Sequence, residues 1–580
     1  MRHDGSVPRA PAKPSMDFYS ALQYVAFIVT LTVCVKPLGR YLEKVFSGQK
    51  TALDRLCSPM ERLLYRVAAV NPAVEMGARE YATCFVLFSL AGTFLLYAIL
   101  RLQNFLPWFN PQYHTTPLTP DLAMNTAISF STTTTWQAYG GENTMSYFSQ
   151  MAGLCAQNFL AGAAGLAVGV AFIRGFARQR SETLGNFWVD LTRSLLWVLL
   201  PGALLGAVLL LWQGVPMNFH PYTEVASLEG TKQVIPQGPV AAFEIIKNLG
   251  TNGGGFFNAN GAHPYENPTP LANFFEMLAI ALLPASLTNT FGRMTRQPRQ
   301  GWMLYCVMLA LFVAGLTVTH WAEHRGNHAF AAVNQAAGNL EGKEVRFGVG
   351  GSALTATVTS NTATGSYNAM HDSFSPLGGM APLVNMLLGE VAFGGLGTGM
   401  YSMLMVAVIA VFLTGLMMGR TPEYLGKKIG PAETKMVMLY ALAAPLTILP
   451  LTALAVLCKP GLAGLTTNQG VHGFTEILYA YTSCFANNGQ NFAALSANTV
   501  FYNLTTTVAM LLGRFALAAP ALGLAGLVAT QKSTPPSAGT LRTDSPLFAL
   551  ALTATILIVA GLCYFPALTL GPILEHLLFR

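Results

Sequence analysis

The sequence predicts an all-α polytopic membrane protein, and three observations lead to that fold class. Of the 580 residues, 52% are hydrophobic and only 10% are charged, which is more apolar than soluble domains are. Apolar runs of about 18 to 25 residues, long enough to cross about 30 Å of hydrocarbon, recur along the chain. The charged residues collect in the loops between these runs, and every second loop is basic.

About ten apolar runs qualify as transmembrane helices. They centre on residues 19–35, 81–100, 147–173, 195–212, 271–291, 303–321, 382–418, 436–457, 499–528 and 547–568. The seventh run is the longest, and Gly394, Gly395, Gly397 and Gly399 interrupt it. Because glycine weakens a helix interior, we expect a broken helix there.

The basic loops indicate how the chain crosses the membrane. They cover residues 36–79, 174–180, 293–299 and 420–428. The positive-inside rule places these loops in the cytoplasm and, with ten spans, both termini outside. Residues 1–15 are polar and lack the apolar core of a secretory signal, so we interpret them as a flexible tail or as the product of an upstream start.

Charge and cysteine content argue against several other functions. The net charge of +7 comes from short loops between apolar runs, which indicates membrane topology rather than nucleic-acid binding. The eight cysteines are scattered without a CxxC motif or a Cys/His cluster. We therefore expect no transition-metal site and no cofactor.

Four loops on the face opposite the basic loops carry a short stretch rich in Thr, Asn, Ser and Gly. We name them the first to fourth polar loop; they cover residues 129–143, 248–270, 359–374 and 482–499. Each follows a segment able to form a short helix, such as 121–130, 238–249 or 473–484, and each lies directly before an apolar run. The sequence therefore predicts four pseudo-symmetric repeats of span, pore helix, filter and span around a central pore.

The four polar loops predict a cation-selective pore. Non-helical backbone at membrane depth is tolerated only where protein encloses it or where it lines a watery cavity. A ring of backbone carbonyls can replace the hydration shell of an alkali cation, and glycine frees the backbone to point carbonyls inward. Gly, Asn and Thr are also the usual residues of ordinary extracellular turns, which is the alternative. Recurrence at corresponding places in four repeats favours the filter.

The sequence lacks an energy source of its own. It contains no GxxxxGKS or GxxxxGKT phosphate loop and no Asp-Lys-Thr-Gly string of the kind that phosphorylated ATPases use. We expect no ATP-hydrolysing site in this chain. It is then a passive conduit, an ion-coupled transporter or the ion-binding part of a larger pump; a membrane scaffold or sensor without transport is the alternative from another class.

Several strings in and around the polar loops resemble the A subunit, which binds potassium, of the bacterial Kdp potassium-transporting ATPase. The strings are TTTTWQAYGGENTMSYFSQM, LGTNGGGFFNANGAHPYENPTP, NAMHDSFSPLGGM, GEVAFGGLGTGMYSM and GRTPEYLGKKI. The resemblance runs from about Tyr19 to the C-terminus. It implies a member of the potassium-transporter superfamily in the bacterial inner membrane, with four repeats of span, pore helix and span plus two extra helices. It also implies K+ as the transported ion and no cofactor.

That resemblance also implies partners. They are a P-type ATPase B subunit, a single-span C subunit and a very small F subunit. A stand-alone potassium channel or an ion-coupled potassium symporter of the same superfamily remains the alternative.

Site residues carry over from the family position by position. They are Thr133, Thr134 and Thr135 with Gln137 just behind; Thr251, Asn252 and Gly253; Thr364, Gly365 and Ser366; and Asn487, Asn488 and Gly489. The first loop departs from the family, which commonly reads TNTNWQ there, so that Asn stands where Thr133 and Thr135 stand here. Main-chain carbonyls remain available for coordination, whereas the family's Asn side chains have no counterpart.

Two charges lie inside apolar runs. Glu390 is in the seventh run and Arg514 in the ninth, and a charge at that depth is costly without a partner. We therefore expect Arg514 to be the partner of Glu390. The resemblance implies a blocking loop and an intersubunit tunnel near the third repeat, which suggests that Glu390, Arg514, Gly394 and Gly395 gate the ion. The alternative is a salt bridge that only fixes helix packing.

Two further charges are assigned from their position. Arg420 is at a helix end, where we expect a cytoplasmic membrane anchor or a contact to the ATPase partner. Glu276 lies one turn into the fifth apolar run, and we expect its side chain to reach the membrane interface.

The domain organisation follows from these repeats. Residues 1–15 are the tail, 16–80 the first extra helix and a basic loop, 81–175 the first repeat, 194–291 the second, 302–420 the third with its broken helix, 436–530 the fourth, and 546–580 the last extra helix.

Overall fold

The computed structural model describes residues 18–106, 115–330, 335–417, 419, 422–535 and 541–579. The predicted tail, residues 1–15, and Arg420 lie outside the described residues. Within the described ranges, ten helices are long and apolar enough to cross a membrane. The predicted fold class is confirmed, and the chain is an all-α polytopic membrane protein.

We number these helices as the first to tenth span. They are Phe18–Phe46, Ala78–Phe105, Ser149–Ala177, Phe187–Trp212, Pro270–Met294, Pro298–His324, Thr398–Met417, Pro431–Leu457, Val500–Thr530 and Pro546–Leu578. Four of them begin with proline, at Pro270, Pro298, Pro431 and Pro546. Proline is well tolerated at the first helical position because the N–H there has no intrahelical acceptor.

A short helix precedes each polar loop, as predicted. The first to fourth pore helix are Pro120–Ser131, Val240–Leu249, Gly348–Asn361 and Gly470–Phe485. They contain 10 to 16 residues, which at 1.5 Å per residue gives lengths of about 15 to 24 Å. A helix of that length cannot cross the bilayer, so the chain must return through the polar loop.

The remaining elements are short. Additional helices are Asp54–Val67, Gly141–Thr144, Pro376–Leu387 and Lys459–Leu462. Single 3-10 turns lie at His328–Phe330 and His371–Ser373. Three antiparallel strand pairs join Met76–Gly77 to Thr183–Gly185, Thr223–Ala226 to Lys232–Ile235, and Glu423–Tyr424 to Lys427–Lys428.

The seventh apolar run forms two helices rather than one. Pro376–Leu387 and Thr398–Met417 are separated by a non-helical segment, residues 388–397. In this segment Glu390 and Phe393 adopt left-handed backbone conformations, with φ of 59° and 55°. The seventh span therefore begins at Thr398, and the run that was expected to contain a broken helix does leave helical geometry, at residues 388–397.

The third span lies at the centre of the molecule. In its most apolar stretch 83% of residues are buried, against 28% for the first span. Small residues allow the backbone of other elements to approach it. A Cβ added at Gly162 would be 3.0 Å from Gly250 Cα, and one added at Gly165 would be 2.7 Å from the Leu396 carbonyl oxygen.

A buried ion pair joins the first four spans. Arg174 donates two hydrogen bonds to the Asp190 carboxylate, of 2.5 and 2.7 Å. Arg174 also donates to the Phe46 carbonyl at 3.0 Å, and the Tyr81 hydroxyl donates to Asp190 at 3.0 Å. Removing one partner of such a pair leaves an uncompensated buried charge.

We expect Asp190→Asn to destabilise the protein by about 3 to 5 kcal/mol, because Arg174 loses its counter-charge in a buried site. The measurement is the Tm of the purified full-length protein in detergent. Glu75→Gln is the matched control, since Glu75 pairs with Arg178 at 2.6 Å but its side chain is 44% exposed, and exposed pairs contribute little. Equal Tm values for the two variants would contradict this prediction.

A charged cluster fixes the end of the tenth span to the fourth pore helix. His472 lies 2.8 Å from Asp372 and 2.7 Å from Glu575 through its two ring nitrogens. Burial alone would lower the pKa of His472, but the hydrogen bonds to Asp372 and Glu575 outweigh it and raise the pKa to about 10.

The raised pKa predicts a pH dependence of stability. The contribution of His472 is complete below its unfolded pKa, 6.5, and is lost as the pH rises through its folded pKa, about 10. We expect the Tm difference between the wild type and His472→Gln to shrink steadily from about pH 7 to about pH 10.5. A difference that stays constant over this range would rule out a charged His472.

Candidate functional site

The four polar loops meet in a closed ring. A Cβ added at Gly253 would be 2.6 Å from the Thr364 carbonyl oxygen and 2.7 Å from Thr135 Oγ1, so the second loop contacts the third and the first. A Cβ at Gly365 would overlap the Asn488 carbonyl, and one at Gly489 would overlap the Thr134 carbonyl. Each loop therefore contacts two neighbours.

The backbone gives the register of the four loops. The second residue after each pore helix is left-handed, with φ of 64° at Thr133, 50° at Thr251, 52° at Ala363 and 50° at Asn487. The corresponding triplets are residues 133–135, 251–253, 363–365 and 487–489. The third triplet begins one residue before the sequence assignment, so that Ala363 belongs to it and Ser366 follows it.

Left-handed backbone explains two of the glycines in the ring, Gly365 and Gly489. Gly365 and Gly489 have φ of 73° and 77° at the third triplet position, which glycine adopts without steric cost. Thr135 has φ of 54° at the equivalent position, and a β-branched residue there is strained. The first loop therefore depends most on its surroundings to hold its conformation.

Side chains in the ring bind the scaffold around it. Asn252 Nδ2 donates to the Asn158 carbonyl at 2.7 Å, and Asn488 Nδ2 donates to the Thr359 carbonyl at 2.9 Å. Asn487 Nδ2 donates to Thr134 Oγ1 at 2.8 Å, which joins the fourth loop to the first. These contacts brace the loops through side chains.

Gln137 connects the first and second loops behind the ring. Its Oε1 accepts from the Gly255 N–H at 2.9 Å, and its Nε2 donates to the Gly255 carbonyl at 3.2 Å. The amide therefore pairs with both backbone groups of one residue. The predicted position just behind the first triplet matches this bracing contact.

The pore helices direct a favourable field towards the ring. Each pore helix has its C-terminal residue two positions before a triplet; these residues are Ser131, Leu249, Asn361 and Phe485. A helix C-terminus carries a partial negative charge from its unpaired carbonyls. Four such ends around one ring stabilise a cation without a carboxylate ligand.

A small cavity lies beneath the ring. Its lining includes the first residue of every triplet, Thr133, Thr251, Ala363 and Asn487, together with Glu390 and Arg514. The two charges thus face one space just below the ring. Gly395 lies here too: a Cβ added to it would be 3.3 Å from that of Ala363.

Arg514 does not form the expected ion pair with Glu390. Its guanidinium donates to Thr133 Oγ1 at 3.0 Å and to the Ala161 carbonyl at 3.1 Å, and it lies 5.2 Å from the centre of the Phe85 ring. In the described part of the chain, Glu390 Oε2 has no hydrogen-bond partner. Arg514 is bound by the first repeat, while Glu390 stays in the interrupted segment of the third.

A second, larger cavity begins at Glu390. It has a volume of about 90 Å³ and is lined by the interrupted segment, including Gly389 and Glu390, and by apolar residues such as Ile448 and Ile556 of the eighth and tenth spans. Because Glu390 lines both cavities, the two adjoin at this carboxylate. Gly394 keeps the segment compact, since a Cβ there would overlap the Glu390 carbonyl.

Sequence reasoning missed a buried charged cluster behind the second loop. Glu244 and Lys247 of the second pore helix pair at 2.7 Å, with both side chains at most 1% exposed. Glu276 is fully buried beside them and does not reach the membrane interface as expected. The sequence did contain a signal for this cluster. Glu244 and Lys247 are three residues apart on a pore helix that we expected protein to enclose.

Fold and site together define a polytopic membrane protein whose four polar loops close into one ring. The structure resembles the crystal structure of the potassium transporter TrkH from Vibrio parahaemolyticus with a TM-score of 0.50 and 12% sequence identity, over 86% of this chain and 97% of that one. At this identity the similarity concerns the fold alone.

Sequence comparison identifies the family. The family model described as potassium-transporting ATPase A subunit matches residues 25–577. The potassium-binding subunit of the potassium-transporting ATPase from Methylobacterium nodulans is 55% identical over 554 residues, 96% of each chain. Its counterpart from Methylorubrum extorquens is 52% identical over 96% of this chain and 97% of the other. The chain belongs to the potassium-transporting ATPase A subunit family.

Proposed function

We propose that this chain is the potassium-binding and translocating subunit of a high-affinity, ATP-driven potassium uptake complex. The closed ring of four polar loops, with four pore-helix C-termini directed at it, is the observation that carries the proposal. The names of the two relatives, potassium-binding subunits of a potassium-transporting ATPase, support the same ion and the same complex. K+ is the cargo, and no cofactor takes part.

The proposed filter uses backbone oxygens. K+ arrives from the outer side, loses water and is coordinated by carbonyls of the triplets beginning at Thr133, Thr251, Ala363 and Asn487. Asn and Thr side chains of the ring are engaged in bracing contacts. Selectivity then depends on how firmly the four loops hold their carbonyls in place.

The proposed route turns sideways below the filter. Arg514 holds a positive charge beneath the first loop, while Glu390 offers a carboxylate beneath the third, where the larger cavity begins. A cation is repelled by the first and attracted by the second. We assign the gate to Glu390, Arg514, Gly394 and Gly395, and the larger cavity to the start of an intramembrane tunnel.

The energy must come from partners, because the chain has no ATP-hydrolysing motif. We assign hydrolysis to a P-type ATPase B subunit, with a single-span C subunit and a small F subunit completing the complex. The basic loops favour an inner-membrane topology with both termini outside the cytoplasm. Arg420 then belongs to a cytoplasmic loop able to contact the ATPase partner.

The decisive experiment compares the chain alone with the complete complex. In a bacterium lacking high-affinity potassium uptake, we expect growth at micromolar K+ only when the chain is co-expressed with its ATPase partners. Uptake by the chain alone would instead identify an autonomous channel or symporter. Assembly with the ATPase but no K+ dependence of ATP hydrolysis would identify a scaffold.

The filter assignment predicts a specific effect of Gly489→Ala. Its Cβ would overlap the Thr134 carbonyl at a residue with φ of 77°, so the ring must distort. We expect the KM for K+ in K+-stimulated ATP hydrolysis to rise by about tenfold or more, equivalent to about 1.4 kcal/mol.

The matched control is Gly561→Ala in the tenth span, where an added Cβ has no neighbour within 4 Å. This variant should keep the wild-type KM. An unchanged KM in Gly489→Ala would show that the fourth loop is not part of the filter.

A further inference from the structure

Lys247 is in the last turn of the second pore helix and is completely buried. Its ammonium lies 2.7 Å from Glu244 Oε2 and donates to Asn260 Oδ1 at 2.7 Å. Its own carbonyl accepts from the Asn252 N–H at 2.8 Å, so the residue is also attached to the second triplet. A buried lysine is costly unless its contacts are specific.

Asn260 connects this lysine to the third loop. Its Nδ2 donates to the Gly365 carbonyl at 3.1 Å, and its backbone carbonyl accepts from the Tyr367 N–H at 3.2 Å. An ammonium group has only donors, so it binds the oxygen of the Asn260 amide and leaves the NH2 group to face Gly365. Lys247 thereby fixes which end of the amide meets the third triplet.

The surrounding carboxylates keep Lys247 and Asn260 in place. Glu266 accepts backbone N–H bonds from Phe256 at 2.7 Å and Gly261 at 2.6 Å, which flank Asn260 in the second loop. Glu276 is fully buried, forms no hydrogen bond within the described residues, and interacts electrostatically with Lys247. The Lys247 ammonium therefore interacts with several carboxylates, and these interactions hold it in one position.

We propose that Lys247 is a positioning residue for K+ selection, acting through Asn260 on the Gly365 carbonyl of the third loop. The inference rests on the proposed function, in which the triplets form the filter. Gly365 also packs against the Asn488 carbonyl, so a displacement of Gly365 alters the contact between the third and fourth loops. The second pore helix thus influences, through Lys247 and Asn260, the part of the third loop that contacts the fourth loop.

Another buried lysine provides a matched control. Lys343 pairs with Glu323 at 2.6 Å, and both side chains are fully buried. Its pair partner binds Asn339 and Ser375, outside all four triplets. Lys247→Met and Lys343→Met remove the same chemical group from equally buried pairs, but only the first disconnects a triplet.

The test measures K+-stimulated ATP hydrolysis in the complete, reconstituted complex, with K+ and Rb+ as separate substrates. We expect Lys247→Met to raise the KM for K+ about tenfold, the affinity equivalent of one hydrogen bond. The maximal rate should stay within about twofold of the wild type, and the preference for K+ over Rb+ should fall. Lys247→Arg should restore much of the affinity, because it still donates to Asn260.

Asn260→Leu keeps the ion pair between Lys247 and Glu244 and removes the amide that links Lys247 to the Gly365 carbonyl, so it tests the proposal even if Lys247→Met fails to assemble. It should raise the KM for K+ as Lys247→Met does, and the double variant should add little. Unchanged KM and K+/Rb+ preference in Asn260→Leu, or an equal KM change in Lys343→Met, would overturn the proposal.

The filter assignment is tested separately by Gly489→Ala. A raised KM in Gly489→Ala with wild-type behaviour in Asn260→Leu rejects the role of Lys247 alone. Wild-type KM in both variants rejects the filter itself.

Discussion

The structure depends on one constraint: backbone carbonyls that leave helical geometry inside a membrane must be enclosed by protein. Each pore helix ends partway across, and each polar loop carries non-helical backbone at that depth. The contacts of Gly253, Gly365 and Gly489 with neighbouring carbonyls close the four loops into one ring. A single repeat would leave these groups facing lipid, so the repeats are stable only together.

Enclosure of the ring requires close packing by the third span. Gly162 meets the backbone of the second loop at Gly250, and Gly165 and Gly169 meet the interrupted segment at Leu396 and Gly397. Any larger residue at these positions would push a loop or the segment away from the axis. The small residues of one central helix therefore determine how tightly both the filter and the segment below it are held.

The sequence predicts most of the fold because its signals are local. Span length, basic loops and the pore-helix segments depend on neighbouring residues, and the ten spans and the pore helices are confirmed. The separate surroundings of Arg514 and Glu390 depend on contacts between distant segments, whereas the inclusion of Ala363 depends on a left-handed backbone conformation that its residue type does not indicate. Arg514 donates to Thr133, 381 residues away, and no spacing in the sequence indicates that pairing.

The burial of Glu276 also depends on a contact between segments that are separate in the sequence. One turn into a span, a carboxylate usually extends to the interface, but here the second pore helix covers it and Lys247 lies nearby. The second repeat thus supports its loop with charges, whereas the first relies on Gln137 and the fourth on Asn487 and Asn488. The first, second and fourth triplets thus begin with the same left-handed backbone but are held by different side chains, so equivalent substitutions in these loops need not have equivalent effects on the ring.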